Sequence, residues 1–153
     1  MIQRIQTVYI AIAVLLTVAC LCLQIGSFDL EGLTVGREYN LWIIDEAGKY
    51  HFSTWPLFAV LVPSAALGVY TIFAFNNRRS QARMCLFNIL LIIGWYILYV
   101  VYGQLLPGDV IAQSNFKPAL FASFPALSAI FYILAHRGIV ADDKLVRAAD
   151  RIR

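Results

Sequence analysis

Four stretches without a single Asp, Glu, Lys or Arg, at 5–25, 56–75, 84–102 and 118–135, dominate this 153-residue chain. At a helical rise of about 1.5 Å per residue, each is long enough to cross a bilayer core of roughly 30 Å. They leave too little chain for a separate soluble domain. One membrane domain over 1–153 is therefore expected. Composition agrees, since 61% hydrophobic and 14% charged residues lie far from the balance of a water-soluble domain. The expected fold class is all-α membrane, a bundle of four transmembrane helices.

The net charge of +3 matters less than its distribution. With the N-terminus inside, Arg4, Arg78, Arg79, Arg83, Arg137, Lys144, Arg147, Arg151 and Arg153 fall on the cytoplasmic side. Only Arg37, Lys49 and Lys117 fall outside. The positive-inside rule then places both termini in the cytoplasm. No basic stripe of the kind that binds nucleic acid is present. The first segment carries Arg4 ahead of an apolar run and resembles a signal peptide. Thr17 in place of Leu three residues before Cys20, and the continuation of the run to Ile25, favour a retained helix instead.

Chemistry-bearing residues are sparse. Cys20 and Cys22 stand two apart, which turns their side chains about 200° from each other on a helix, and Cys85 lies toward the opposite membrane face. This is not the surface-exposed pair that thiol–disulfide exchange requires, so buried thiols acting as small apolar residues are expected. His51 and His136 fall on opposite sides of the membrane and cannot share an ion. The apolar segments hold no ionisable carboxylate or cation, which argues against a pump or proton relay. Asn88, about one turn into the third helix, is expected to hydrogen-bond across to a neighbour. Neither a catalytic group nor a cofactor site is expected.

Two helices share a spacing. Pro56, Pro63 and Tyr70 recur as Pro118, Pro125 and Tyr132, both Pro-x6-Pro-x6-Tyr. The pattern suggests two parallel helical hairpins, with Pro56 and Pro118 opening their helices and Pro63 and Pro125 kinking them. Kinks at matched depth would open a cleft for a lipid, quinone or other apolar molecule, with Pro63, Tyr70, Tyr96, Pro125 and Tyr132 as its candidate lining. Ser64 with Gly68, and Ala122 with Ala126, are small residues four apart that suit close helix packing.

The outer loop, 26–55, reads as a small β-hairpin. Tyr39 to Ile44 and Lys49 to Phe52 flank a turn closed by Gly48, and Leu33 to Val35 adds a possible third strand. So apolar a hairpin needs the membrane surface, the 103–117 loop or a partner to cover it. At the other end Gly138 is placed to stop the fourth helix, with Asp142 and Asp143 in a short amphipathic cytoplasmic helix at 140–153. Leu145, Ala148, Ala149 and Ile152 share its apolar stripe opposite Lys144, Arg147, Arg151 and Arg153. Such a helix suits the anionic inner leaflet or a protein partner.

The opening Met1-Ile2-Gln3-Arg4-Ile5-Gln6-Thr7-Val8-Tyr9 and the closing Asp143-Lys144-Leu145-Val146-Arg147 with Ala149-Asp150-Arg151-Ile152-Arg153 resemble a Bacteroidota family of small integral membrane proteins, domain of unknown function 4293. The resemblance spans the chain in length and layout. It implies an inner-membrane protein of a Gram-negative bacterium and transfers no catalytic residue. The resulting expectation is a non-enzymatic accessory or structural subunit that binds membrane lipids and one or more membrane proteins. Its candidate contact residues are Leu41, Trp42, Ile43 and Tyr50 outside, and Leu145, Arg147 and Ile152 inside. An apolar-ligand module is the alternative, and an enzyme acting through Cys20, Cys22 or Cys85 is a residual third.

Overall fold

A computed structural model describes residues 2–74, 77–105 and 115–150. Apolar runs of Leu, Ile, Val and Ala, broken by no internal charge, build α1 (Ile2–Cys22), α2 (Trp55–Phe73), most of α3 (Arg78–Val100) and the first half of α4 (Phe124–Asp150). Each helix has a readable start or stop. Pro56 occupies the first turn of α2, where its missing N–H costs nothing. The Asn77 side chain accepts from the Ser80 amide at the start of α3. α1 packs on α4 and α2, and α3 packs on α4 and α2, so the helices form a square.

The interior of that square is filled. Ile10, Ala13, Ala82, Cys85, Ile92, Tyr132, Ala135 and Ile139 form one buried layer, and Cys20, Ile25, Leu57, Leu61, Trp95, Tyr99 and Ala122 a second. Several polar side chains inside are paired across helices. Ser64 donates to Asn88 Oδ1 at 2.8 Å, which is the interhelical bond expected of Asn88. Thr17 and Ser128 hydroxyls lie 3.0 Å apart, and Gln81 donates to the Thr71 carbonyl at 3.0 Å. Outside, Leu15, Leu90, Ile97 and Phe87 are exposed. Four helices are long and apolar enough to cross a membrane, and these outward faces suit lipid rather than water.

The all-α expectation is overturned by a five-stranded antiparallel sheet built from the α1–α2 and α3–α4 connections. β1 (Gly26–Leu30), β2 (Leu33–Glu38), β3 (Ile43–Asp45), β4 (Tyr50–His51) and β5 (Asn115–Pro118) lie in the order β4-β3-β2-β1-β5. Glu31 and Gly32 join β1 to β2 with φ of 49° and 90°, the positive values that a two-residue turn matched to strand twist requires. The expected Gly48 turn is present between β3 and β4, with φ of 73°. Its strands are shorter than expected, because Tyr39 to Trp42 leave the ladder in a turn closed from the Tyr39 amide to the Trp42 carbonyl. β5 pairs Lys117 with Ser27 and Phe116 with Phe28, and Lys117 Nζ reaches Asp29 Oδ2 at 2.7 Å.

Three further expectations change. Pro118 ends β5 instead of opening a helix, and Pro125 sits in the first turn of α4, preceded by a 3-10 turn at Leu120–Ser123. Gly138 does not stop α4, which runs without a break to Asp150, so no separate C-terminal helix forms over the described residues. Gly138 instead lies against the Gln6 side chain, where a Cβ would approach Gln6 Cγ at 3.1 Å. The Pro-x6-Pro-x6-Tyr copies do not face alike: Pro63 and Tyr70 are exposed, whereas Pro125 and Tyr132 are buried.

Gly68 marks the tightest interior approach. A Cβ there would lie 2.3 Å from the Tyr132 hydroxyl and 2.6 Å from Val14 Cγ2, so Tyr132 reaches from α4 to α2 through the space glycine leaves. The Tyr132 hydroxyl has no hydrogen-bond partner among the described residues. Gly68→Ala is expected to lower stability by about 1–3 kcal/mol through overpacking. Tyr132→Phe alone is expected to be neutral to about 1 kcal/mol stabilising, and to recover much of the loss in the double variant. Thermal unfolding in detergent of the four proteins of the cycle measures this coupling.

Candidate functional site

The seam between sheet and bundle concentrates the unusual chemistry. Asn40, wholly buried, follows β2 and turns into the bundle. Its amide donates to the Cys20 carbonyl at 2.7 Å, its Oδ1 accepts from Trp95 Nε1 at 2.9 Å, and its own carbonyl accepts from the Phe58 amide at 3.1 Å. Cys20 lies in the last turn of α1 and Phe58 in the first turn of α2, so one asparagine bonds to the backbone of both helix ends. Tyr99, stacked on Trp95 with ring centres 5.1 Å apart, donates to the Ile25 carbonyl at 2.6 Å. Tyr96 donates to the Ala122 carbonyl at 2.7 Å and accepts from the Ala126 amide at 3.0 Å, closing the start of α4.

Glu38 lies two residues before Asn40 and is also wholly buried. Neither carboxyl oxygen has a hydrogen-bond partner among the described residues. A Cβ on Gly26 would meet Glu38 Oε2 at 2.8 Å and the Phe116 ring at 2.5 Å, so glycine admits both groups against β1. Burial pushes the Glu38 carboxyl up to about 8, because an ionised carboxylate there would lose its hydration. The exposed acids of the sheet go the other way. A hydrogen bond from Lys117 holds Asp29 below the usual carboxylate range, and the Lys49 amide with His51 does the same for Asp45.

The outer contact residues expected from sequence divide. Ile43 is 4% exposed and faces the sheet core with Phe28, while Leu41 is half-buried. Trp42 and Tyr50 belong to an aromatic group on the surface. Trp42 packs edge-on against Tyr50 at 5.7 Å and Phe52 at 6.1 Å, with Tyr39 at 6.4 Å. Tyr50, Phe52 and Trp55 are all more than half exposed. At the end opposite the sheet Leu145 is exposed, Arg147 pairs with Asp143 one turn away, and Ile152 lies outside the described residues.

The expected cleft residues are not brought together. Pro63 and Tyr70 face outward on α2, Pro125 and Tyr132 face inward, and the Tyr96 hydroxyl is occupied by the α4 backbone. Cys20 and Cys85 are buried as expected, whereas Cys22 is exposed, because a spacing of two on a helix turns it away from the side that buries Cys20. Among the described residues, no group of three His, Cys, Asp or Glu could hold a metal ion. Sequence reasoning passed over Glu38 and Asn40. Their signal was slight: two polar residues spaced by two beside Tyr39, Leu41 and Trp42, at positions that alternate into an apolar interior.

Asn40→Leu is expected to cost about 2–4 kcal/mol, since it leaves the Trp95 indole N–H and the Cys20 carbonyl unpaired in a buried place. Thermal unfolding followed by near-ultraviolet circular dichroism, which reports Trp95, reads the loss. Glu38 gives a pH dependence whose sign follows from its raised folded pKa. Its contribution is fully present below the unfolded value near 4.5 and is lost as pH rises through about 8. Stability should therefore fall by on the order of 1.4 kcal/mol per pH unit across that window. Glu38→Gln should remove this slope, and denaturation at a series of pH values compares the two.

A search of the curated proteins finds no match for this chain. Residues 2–152 match the family described as Domain of unknown function (DUF4293), so the chain belongs to that family over nearly its whole length.

Proposed function

We propose that this protein is a non-catalytic integral protein of the bacterial inner membrane, with both termini cytoplasmic, that acts as an accessory or structural subunit for other membrane proteins. The observation that carries the reading is the exposed pair Tyr50 and Phe52 packed on half-buried Trp42 at the edge of the sheet, with Trp55 exposed at the start of α2. Aromatic residues are the usual anchors of protein interfaces, because they bury large area while freezing few torsions. The sheet beneath them is held by Asp45, which accepts from the Lys49 amide at 2.9 Å and lies 3.1 Å from His51 Nε2. A face fixed in this way loses little freedom on docking.

The orientation is supported by the placement of seven of the ten Lys and Arg residues among the described residues at the end of the helices opposite the sheet. The partner is accordingly a membrane protein with a lipid-adjacent outer surface. Its contact with this chain is apolar and aromatic, with Lys49 and His51 at the rim.

Purification from the native membrane in mild detergent, followed by mass spectrometry, is expected to yield a protein in fixed ratio to this chain. The double variant Tyr50→Ser/Phe52→Ser should lose at least about tenfold of that recovery, equivalent to roughly 1.4 kcal/mol. An unchanged recovery would assign the aromatic face to the headgroup layer, as in an aromatic belt, and would end the subunit reading.

A further inference from the structure

A groove at the end of the bundle opposite the sheet carries an unbalanced charge. It lies between the first turns of α3 and residues 139–143 of α4, as two adjoining pockets of about 540 Å³ and about 430 Å³. Asn77, Arg78, Arg79, Arg83 and Asp143 line the first, and Ala82, Ile139 and Val140 add an apolar floor to the second. Both acids at the groove are already committed. Arg78 Nη1 lies 2.8 Å from Asp142 Oδ2, and Arg147 pairs with Asp143. Arg79 and Arg83, one turn apart and exposed, have no carboxylate partner among the described residues.

We infer that this groove binds the phosphate of an anionic phospholipid between Arg79 and Arg83, with the lipid's acyl part lying on Ala82, Ile139 and Val140. Two guanidinium groups at i and i+4 suit the oxygens of one phosphodiester, which each can meet with paired N–H donors. Phosphate alone would use the arginines and leave the apolar floor bare. A lipid uses both, because its charge and its hydrocarbon are joined across the same few ångströms. Basic pockets between transmembrane helices on the cytoplasmic side recognise anionic headgroups on this principle. The inference rests on the spanning orientation proposed above and is independent of the aromatic face and its partner.

The test is native mass spectrometry of the full chain in detergent, titrated separately with dioctanoyl phosphatidylglycerol, dioctanoyl phosphatidylcholine and inorganic phosphate. Phosphatidylglycerol is expected to bind at least about tenfold more tightly than phosphatidylcholine, and inorganic phosphate to displace it poorly. Arg79→Gln/Arg83→Gln should abolish the preference, whereas Arg137→Gln, exposed on α4 outside the groove, should keep it. Val140→Trp, which fills the floor and leaves every charge in place, should weaken phosphatidylglycerol binding and guards against a misfolded arginine variant. Equal binding of the two lipids, an equal loss in Arg137→Gln, or full displacement by inorganic phosphate at the same concentration would each overturn the assignment. The last of these would identify a soluble phosphate compound as the ligand.

Discussion

The architecture turns on the amide of Asn40. Helices that enter a bundle end with unpaired carbonyls and begin with unpaired amides, and where such an end is buried, water cannot supply the missing bonds. Here one side chain and one peptide unit supply them for the end of α1 and the start of α2, and fix the Trp95 ring of α3 as well. The fourth helix joins through the neighbouring aromatic pair, since Tyr96 closes the start of α4 while Tyr99 holds the Ile25 carbonyl. Ile25 also receives the Ala119 amide, so the entry to the sheet and the entry to α4 share an acceptor. Sheet and bundle are therefore one hydrogen-bonded body.

Two buried polar residues two positions apart show how narrow the tolerance of that seam is. Asn40 is neutral at every pH and meets a partner with each functional atom. Glu38 occupies the neighbouring inward-facing position with no hydrogen-bond partner among the described residues, and its burial favours the uncharged acid. The rest of the interior follows the same economy of charge. Thr, Ser, Asn and Gln pair across helices, while formal charges are kept at the sheet surface and at the far end of the bundle.

Much of the bundle was legible because the property that defines it, long uncharged apolar runs, is written continuously along the chain. Opposed cysteines and the Asn88 contact were also readable, since helical periodicity alone determines them. Of the sheet, the Gly48 turn and a strand from Leu33 were legible, but β1 and β5 were not, for physical reasons. β1 and β5 are short and mixed in character, and their pairing joins residues some 90 positions apart, which no local pattern records. The turn between β1 and β2 places Glu, not Asn or Asp, at a positive φ, so it lacked the usual signature. Pro125 and Gly138 misled in the opposite direction. Proline is benign in a first helical turn, and a glycine inside a long helix can be held there by a close neighbour such as Gln6. For the candidate site, Trp42 and Tyr50 could be named from sequence, but Phe52 and Trp55 were not, and Glu38 and Asn40 acquire meaning only once Gly26 and Trp95 are brought beside them.

The position of β5 in the chain imposes an order of events on biogenesis. β1 emerges directly after α1, yet its second partner strand lies beyond α3, so during synthesis β1 stays an open template on one side until most of the chain has been made. Only when α3 has been made and the chain has returned to the same end of the bundle can residues 115–118 seal that side. The last strand thus acts as a latch between the two helical hairpins. A chain in which residues 115–118 did not reach β1 would keep an unsealed sheet edge, open to pairing with another chain.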